Sequence, residues 1–190
     1  MDVIDSLIAD HNRVRGLISR YKDADEADKS KEASELADRI IHELKTHMAA
    51  EEEVFYESVK ERSGEIKDDV DEGYEEHHVA KVLIDEISHL NSGSDSWVAK
   101  MTVLIESVEH HIDEEEDELF PSVRSSTNVG RRETMGEALD EKKVSLGSVS
   151  LTERLELTAK DLRARASEQE IPGRSTMDHD ELAATVDIET

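Results

Sequence analysis

An all-α protein, an up-down-up-down four-helix bundle carrying a small helical module at its C-terminus, is what this sequence predicts. Apolar residues recur at helical spacing in four long stretches separated by short polar breaks. The composition agrees. Two prolines, eight glycines and 3% aromatics, in a chain crowded with Ala, Leu, Ile, Glu, Lys and Arg, favour helices over a sandwich or barrel.

The first helix is predicted from Val3 to about Tyr21 through Ile4, Leu7, Ile8, Val14, Leu17 and Ile18, and the polar run Lys22 to Ser30 ends it. The second runs from about Lys31 through Leu36, Ile40, Ile41, Leu44, Met48, Val54 and Phe55 to Ser63-Gly64, where the glycine suits a C-terminal cap. A third covers roughly Glu65 to Leu90 through Ala80, Leu83, Ile84 and Ile87, and Asn91-Ser92-Gly93-Ser94 breaks it. The fourth takes Trp97, Val98, Met101, Leu104, Ile105, Val108, Ile112 and Leu119, with Pro121 expected to end it because proline cannot continue the hydrogen-bond ladder.

This pattern divides the chain into three segments: the bundle over 1–125, a linker or accessory helix over 126–150 that lies against the bundle or joins it to the C-terminal module, and that small module over 151–190. In the module two short helices, Thr152 to Glu170 and Asp178 to Val186, are expected around an extended Ile171-Pro172-Gly173-Arg174-Ser175-Thr176.

Charge and cysteine content narrow the chemistry. A net charge of −25, from 48 acids against 23 bases, would repel a phosphate backbone, so nucleic acid is a poor partner for the whole chain. With no cysteine there is no disulfide, thiolate zinc site or cysteine-ligated cluster, and a transition metal must be held by imidazole, carboxylate or phenolate. Nine histidines can supply that. The N-terminus MDVIDSLIAD has acids where a secretion signal needs bases, and no apolar run approaches membrane-spanning length; a cytoplasmic protein without a membrane partner is expected.

The chain contains an internal repeat. Thr46 to Val59 lines up with His110 to Val123 at an offset of 64, so that His47-x-x-x-Glu51 matches His111-x-x-x-Glu115. Helices one and three align at an offset of 66, Asp10-His11 with Glu76-His77, Arg15 with Lys81, and Leu17-Ile18 with Leu83-Ile84. Residues four apart on a helix share a face, so an imidazole and a carboxylate can reach one ion together. His11, His47, Glu51, His77, His111 and Glu115 all fall in the apolar seams. Carboxylates buried among imidazoles are costly unless paired or bound to a cation. Two irons, each taking two histidines and sharing two bridging glutamates, fit this inventory; the alternative is that the buried histidines merely satisfy one another.

These residues, with Glu52, His78, Glu116 and the closing Leu119-Phe120-Pro121, resemble the hemerythrin-like HHE cation-binding family over roughly 1–125. The resemblance implies a four-helix bundle holding a non-haem di-iron centre, two iron ions with an oxo or hydroxo bridge, that binds, reacts with or senses O2, H2O2 or NO. Oxygen-carrying members have a second histidine four residues after the first on helix three. Lys81 stands there in this chain, which leaves an additional open position and favours reaction with peroxide or NO over reversible carriage. Tyr56, Tyr74 and Lys81 are candidates for places near the metals, although both tyrosines are expected to pack with the hydroxyl at the surface. His78 and His110 lie about 100° around the helix from the chosen histidines and are expected in solvent. His42, His89 and His179 fall outside the seams.

The C-terminal Leu155-x-x-x-Ala159-Lys160-x-Leu162-x-x-x-Ala166, Ile171-Pro172-Gly173-Arg174 and Asp180-Glu181-Leu182 resemble the helix–extended–helix motif of the SAP and Rho N-terminal type, which often binds nucleic acid. Residues 148–190 hold five bases and ten acids, so a protein-docking or stabilising role is expected instead. Three functions remain open on the sequence: a di-iron protein acting on a small oxidant or diatomic, with peroxide- or NO-directed activity; an iron or oxygen store or sensor without turnover that signals through the C-terminal module; and a metal-free helical scaffold.

Overall fold

The computed structural model of the chain describes residues 1–27, 29–60, 65–148, 157 and 159–186. Seven helices and no strand occur among them. Helix α1 is Val3–Glu26, a turn longer than its apolar pattern, and starts where the Asp2 side chain accepts the Ile4 N–H (3.0 Å). Helix α2 runs Ser30–Ala50, continues as a π-helix over Glu51–Tyr56 and returns to α over Glu57–Val59. Its expected end at Ser63-Gly64 lies outside the described residues. Helix α3 is Glu65–Ser88. Helix α4 begins at Asp95–Glu114, capped by Ser94 on the Trp97 N–H (3.3 Å), passes through a π-helix over Glu115–Leu119 and ends as Phe120–Ser126.

Pro121 therefore does not end the fourth helix. The π turn has already shifted the ladder, with the Phe120 N–H donating to the Glu115 carbonyl, so the proline falls in the first turn of a new α segment. Its missing N–H costs little there.

Two apolar layers fill the bundle. Val14, Leu17, Leu44, Met48, Ala80, Ile84, Met101, Val108 and Ile112 belong to one. Leu7, Phe55, Tyr56, Val70, Leu119 and Phe120 belong to the other. Each helix crosses between them at a polar position: His11 between Leu7 and Val14, His47 and Glu51 between Leu44 and Phe55, His77 between Val70 and Ala80, His111 and Glu115 between Val108 and Leu119. A buried polar layer is thus sandwiched between two dry ones.

The remaining helices pack outside the four. Helix α5 (Val129–Ser145) places Met135 and Leu139 in the second layer and Lys143 beside Asp10. Helices α6 (Ala159–Glu168) and α7 (His179–Thr185) enclose a small core of Leu162, Ala166, Ile171, Leu182, Ala183 and Val186. Of the predicted Thr152 to Glu170 helix, residues 152–156 and 158 lie outside the described residues. The segment expected to be extended is a run of turns over Pro172–Thr176, consistent with the proline and the positive φ of Gly173 (69°). Gly16 lets this module approach α1, because a Cβ there would lie 2.7 Å from the Gln169 carbonyl oxygen. Among the described residues no helix is long and apolar enough to cross a membrane.

Candidate metal centre

The four helices bring all six predicted residues together. His11, His47, Glu51, His77, His111 and Glu115 are each at most 6% exposed. They form two overlapping donor groups, His47, Glu51, His77 and His111 in one, His11, His47 and Glu115 in the other, with donor atoms of each group within 4.8 Å of one another. Every imidazole turns Nε2 inward. His47 Nε2 is 3.1 Å from Glu51 Oε2, His11 Nε2 is 3.3 Å from Glu115 Oε2, and His111 Nε2 is 3.5 Å from the same oxygen. His77 Nε2 faces His111 Nε2 at 3.1 Å.

The outward nitrogens explain this orientation. His11 Nδ1–H donates to Glu116 Oε1 (2.8 Å), His77 Nδ1–H to Glu52 Oε1 (2.9 Å) and His111 Nδ1–H to Glu76 Oε2 (2.7 Å). His47 Nδ1 faces Asp10 Oδ2 at 3.6 Å. An ionised carboxylate can only accept, so each bond puts a proton on Nδ1 and leaves the Nε2 lone pair for the centre. Glu52 and Glu116 are predictable as neighbours of the two glutamates; Asp10 and Glu76, which precede His11 and His77, are missed by seam and spacing arguments alone. Their signal is the same repeat, since an acid precedes the histidine on both α1 and α3.

Cations hold these carboxylates in turn. Lys81 Nζ donates to both oxygens of Glu52 (2.5 and 2.7 Å), and Arg15 NH1, its partner in the repeat, donates to Glu116 Oε1 (2.8 Å). Lys81 is thus turned to Glu52 at the surface. Asp10 is gripped by Lys143 and by Arg13.

One expectation about the tyrosines fails. Tyr56 is fully buried, and its hydroxyl donates to Glu115 Oε1 (2.7 Å) while its ring stacks on His77, centroids 5.4 Å apart. The widened π turn brings consecutive residues inward, so Phe55 and Tyr56 are both buried, as are Leu119 and Phe120. In the second repeat Phe120 stacks on His11 at 5.6 Å but has no hydroxyl to offer Glu51. Tyr74 stays further out, its ring 5.1 Å from Tyr56 and its hydroxyl 3.2 Å from the Glu52 carbonyl oxygen. His78 is exposed; His110 is exposed too, but sits 3.2 Å from Glu114.

The electrostatics match a site awaiting positive charge. Burial pulls the His47 imidazole down, but Glu51 and Asp10 outweigh it and raise it to about 10. Burial likewise opposes His111, which Glu115 and Glu76 lift to about 9. For His77 burial wins over Glu52 and Glu51, and the group is lowered. Glu115 is held below the usual carboxylate range: burial would raise it, but His111 and His11 prevail. Burial, then Glu115 and Glu51, push the Tyr56 phenol well up, so it stays a donor. Six atoms of the layer still make no hydrogen bond among the described residues: both oxygens of Glu51, Glu115 Oε2, His11 Nε2 and both nitrogens of His47. Buried orphans of this kind are expensive. A divalent cation would take five of them as ligand atoms, Glu51 Oε1 and Oε2, Glu115 Oε2, His11 Nε2 and His47 Nε2, and metal loading would expel the imidazole protons. The donor set fits the cation that the resemblance implies. Lined by the four imidazoles, Glu76 and Ser107 and by the apolar side chains of Val14, Leu44, Met48, Ala80, Val108 and Ile112 is a cavity of about 20 Å³.

Comparison with known proteins gives the same direction. The profile of the Hemerythrin HHE cation binding domain matches residues 2–123. A DNA nickase of Nostoc sp. is 29% identical over 126 residues, 66% of this chain and 34% of that protein. An uncharacterized hemerythrin-like protein of Schizosaccharomyces pombe is 25% identical over 120 residues, 63% of this chain and 58% of that protein. The chain thus spans about a third of the first relative and somewhat over half of the second. No solved structure matches it.

Proposed function

Since the chain belongs to the hemerythrin HHE cation-binding family, we propose that its bundle holds a non-haem di-iron centre on His11, His47, Glu51, His77, His111 and Glu115, and that this centre binds, reacts with or senses O2, H2O2 or NO. The observation that carries the reading is the set of buried atoms without hydrogen bonds, above all both oxygens of Glu51. A helical scaffold with no ion would leave Glu51 Oε1 uncompensated and the other carboxylate oxygens facing imidazoles without hydrogen bonds.

Two bound irons would supply redox chemistry and open coordination positions for a small molecule. The chain's own groups prepare the place. The Nδ1 bonds to Glu116, Glu52 and Glu76 fix three imidazoles in one tautomer and orientation. Six apolar side chains line one part of the small cavity, and its size suits a diatomic. Tyr56 keeps a proton at Oη beside Glu115 Oε1, which orients that carboxylate. Lys81 neutralises Glu52 and supplies no seventh inward donor, which favours peroxide or NO chemistry over oxygen carriage. A DNA-directed activity is not part of this reading, because the net charge of −25 opposes a phosphate backbone.

A sensor without turnover is favoured by one observation. Arg13, which grips the Asp10 carboxylate facing His47, also donates to the carbonyls of Ala184 (2.8 Å) and Thr185 (3.4 Å) at the end of α7. Metal analysis and optical spectra during O2, H2O2 and NO titration test both readings. About two irons per chain are expected. Consumption of oxidant marks the enzyme and saturable spectral change without consumption marks the sensor. Zinc alone at one per chain, after expression with ample iron, would overturn the di-iron proposal.

A further inference from the structure

A cleft of about 40 Å³ between α3 and α4 runs from the surface to the polar layer. Its floor is His111 and Glu115, the latter 4% exposed with Oε2 accepting no hydrogen bond. Its walls carry Asp69, Glu72, Glu76, Glu114 and Glu118, and no lysine or arginine lines it among the described residues. The α4 repeat contains His110-x-x-x-Glu114 directly beside His111-x-x-x-Glu115, a pair the bundle core does not use. Against it the fold sets Glu76, so that donor atoms of Glu76, His110 and Glu114 lie within 4.8 Å of one another. Glu76 in turn accepts from His111 Nδ1 at 2.7 Å, one side chain away from the centre.

Resting on the metal-centre reading above, we propose that this cleft is the loading port for the divalent cation, with Glu76, His110 and Glu114 as a transient outer site from which the ion passes to His111 and Glu115. Three features meet here. A concave wall of one charge sign focuses its field and concentrates counter-ions at the mouth. Two carboxylates and an imidazole offer a hard, partly hydrated ion weak ligands that it can leave. Glu115 Oε2 at the floor, which makes no hydrogen bond and faces the Nε2 atoms of His11 and His111, gives it a deeper place to go. The small cavity that shares Glu76 and His111 with this cleft has no other carboxylate in its lining, and its remaining walls are mainly apolar.

The test is the rate of metal uptake by the full chain stripped with chelator, with Co2+ as probe and its visible absorption as the readout. Glu72→Gln with Glu118→Gln removes charge at the mouth. It should slow second-order uptake about tenfold at low salt and flatten the salt dependence. His110→Ala with Glu114→Gln should slow it as well. In both, final stoichiometry and equilibrium affinity should equal those of the unaltered chain, since no proposed ligand of the centre is touched. Glu106→Gln with Glu141→Gln removes the same charge elsewhere and should leave the rate unchanged. Uptake by the cleft variants at the unaltered rate would overturn the port alone, as would equal slowing by the distant pair. Failure of the unaltered chain to take up Co2+ would overturn the metal-centre reading and the port with it.

Discussion

Each histidine of the centre depends on one carboxylate from a neighbouring helix, and the four pairings follow the sequence repeat. His11 of α1 is held by Glu116 of α4 and His77 of α3 by Glu52 of α2. His111 of α4 is held by Glu76 of α3, while His47 of α2 faces Asp10 of α1. His111→Ala and Glu115→Ala should each lose most of the bound metal, whereas His78→Ala and His110→Ala should retain it, measured as metal per chain after dialysis. Glu52→Gln keeps the shape but weakens the hold on His77; affinity should fall about 10- to 100-fold. Gly73 makes room for the Tyr56 hydroxyl, because a Cβ there would lie 2.5 Å from Tyr56 Oη. Gly73→Ala should therefore cost about 1–3 kcal/mol in denaturant unfolding, and less in a Tyr56→Phe background. The six inward residues were legible because they pair histidine with glutamate at one-turn spacing inside an apolar seam, twice over. Tyr56 was not. A regular helix would carry it away from the seam, and nothing in its neighbours announces the wider turn.

At the scale of the elements, that turn is the main departure from what periodicity predicts. Both π-helical stretches begin at a glutamate of the centre, Glu51 and Glu115. Each inserts about one residue relative to an α turn, so the face presented downstream rotates by about 100°. Leu119, Phe120 and Val123 reach the second apolar layer by this route. Deleting the exposed Asp117 lets the helix close as a regular α-helix and swings those three side chains outward. We expect destabilisation of more than about 3 kcal/mol and loss of the Phe120 stack on His11, read by thermal unfolding and metal content. The four helices themselves were legible from their seams, because burial on one side is what the spacing records. The passage through Pro121 was not, since it depends on the hydrogen-bond ladder being already displaced before the proline.

Across the whole molecule, the outer helices fasten to the same region that holds the centre. Lys143 of α5 and Arg13 of α1 both grip Asp10, and Arg13 reaches the last carbonyls of α7. The chain cut after Gly147 keeps every proposed ligand and should bind metal at full stoichiometry. It also loses the cover over Gly16 and Arg13, so its melting temperature should fall by roughly 3–10 °C. Residues 148–190 alone should not bind duplex DNA measurably at physiological salt, because five bases among ten acids displace too few counter-ions. Such a module has little to stand on by itself. Among the described residues its core is six buried side chains, two of them alanines, well below what a domain of that length needs. A guanidinium shared between its final helix and the bundle's interior therefore makes the two parts cooperative: a calorimetric scan of the full chain should give one endotherm, with calorimetric and van't Hoff enthalpies equal, and no early peak from the tail.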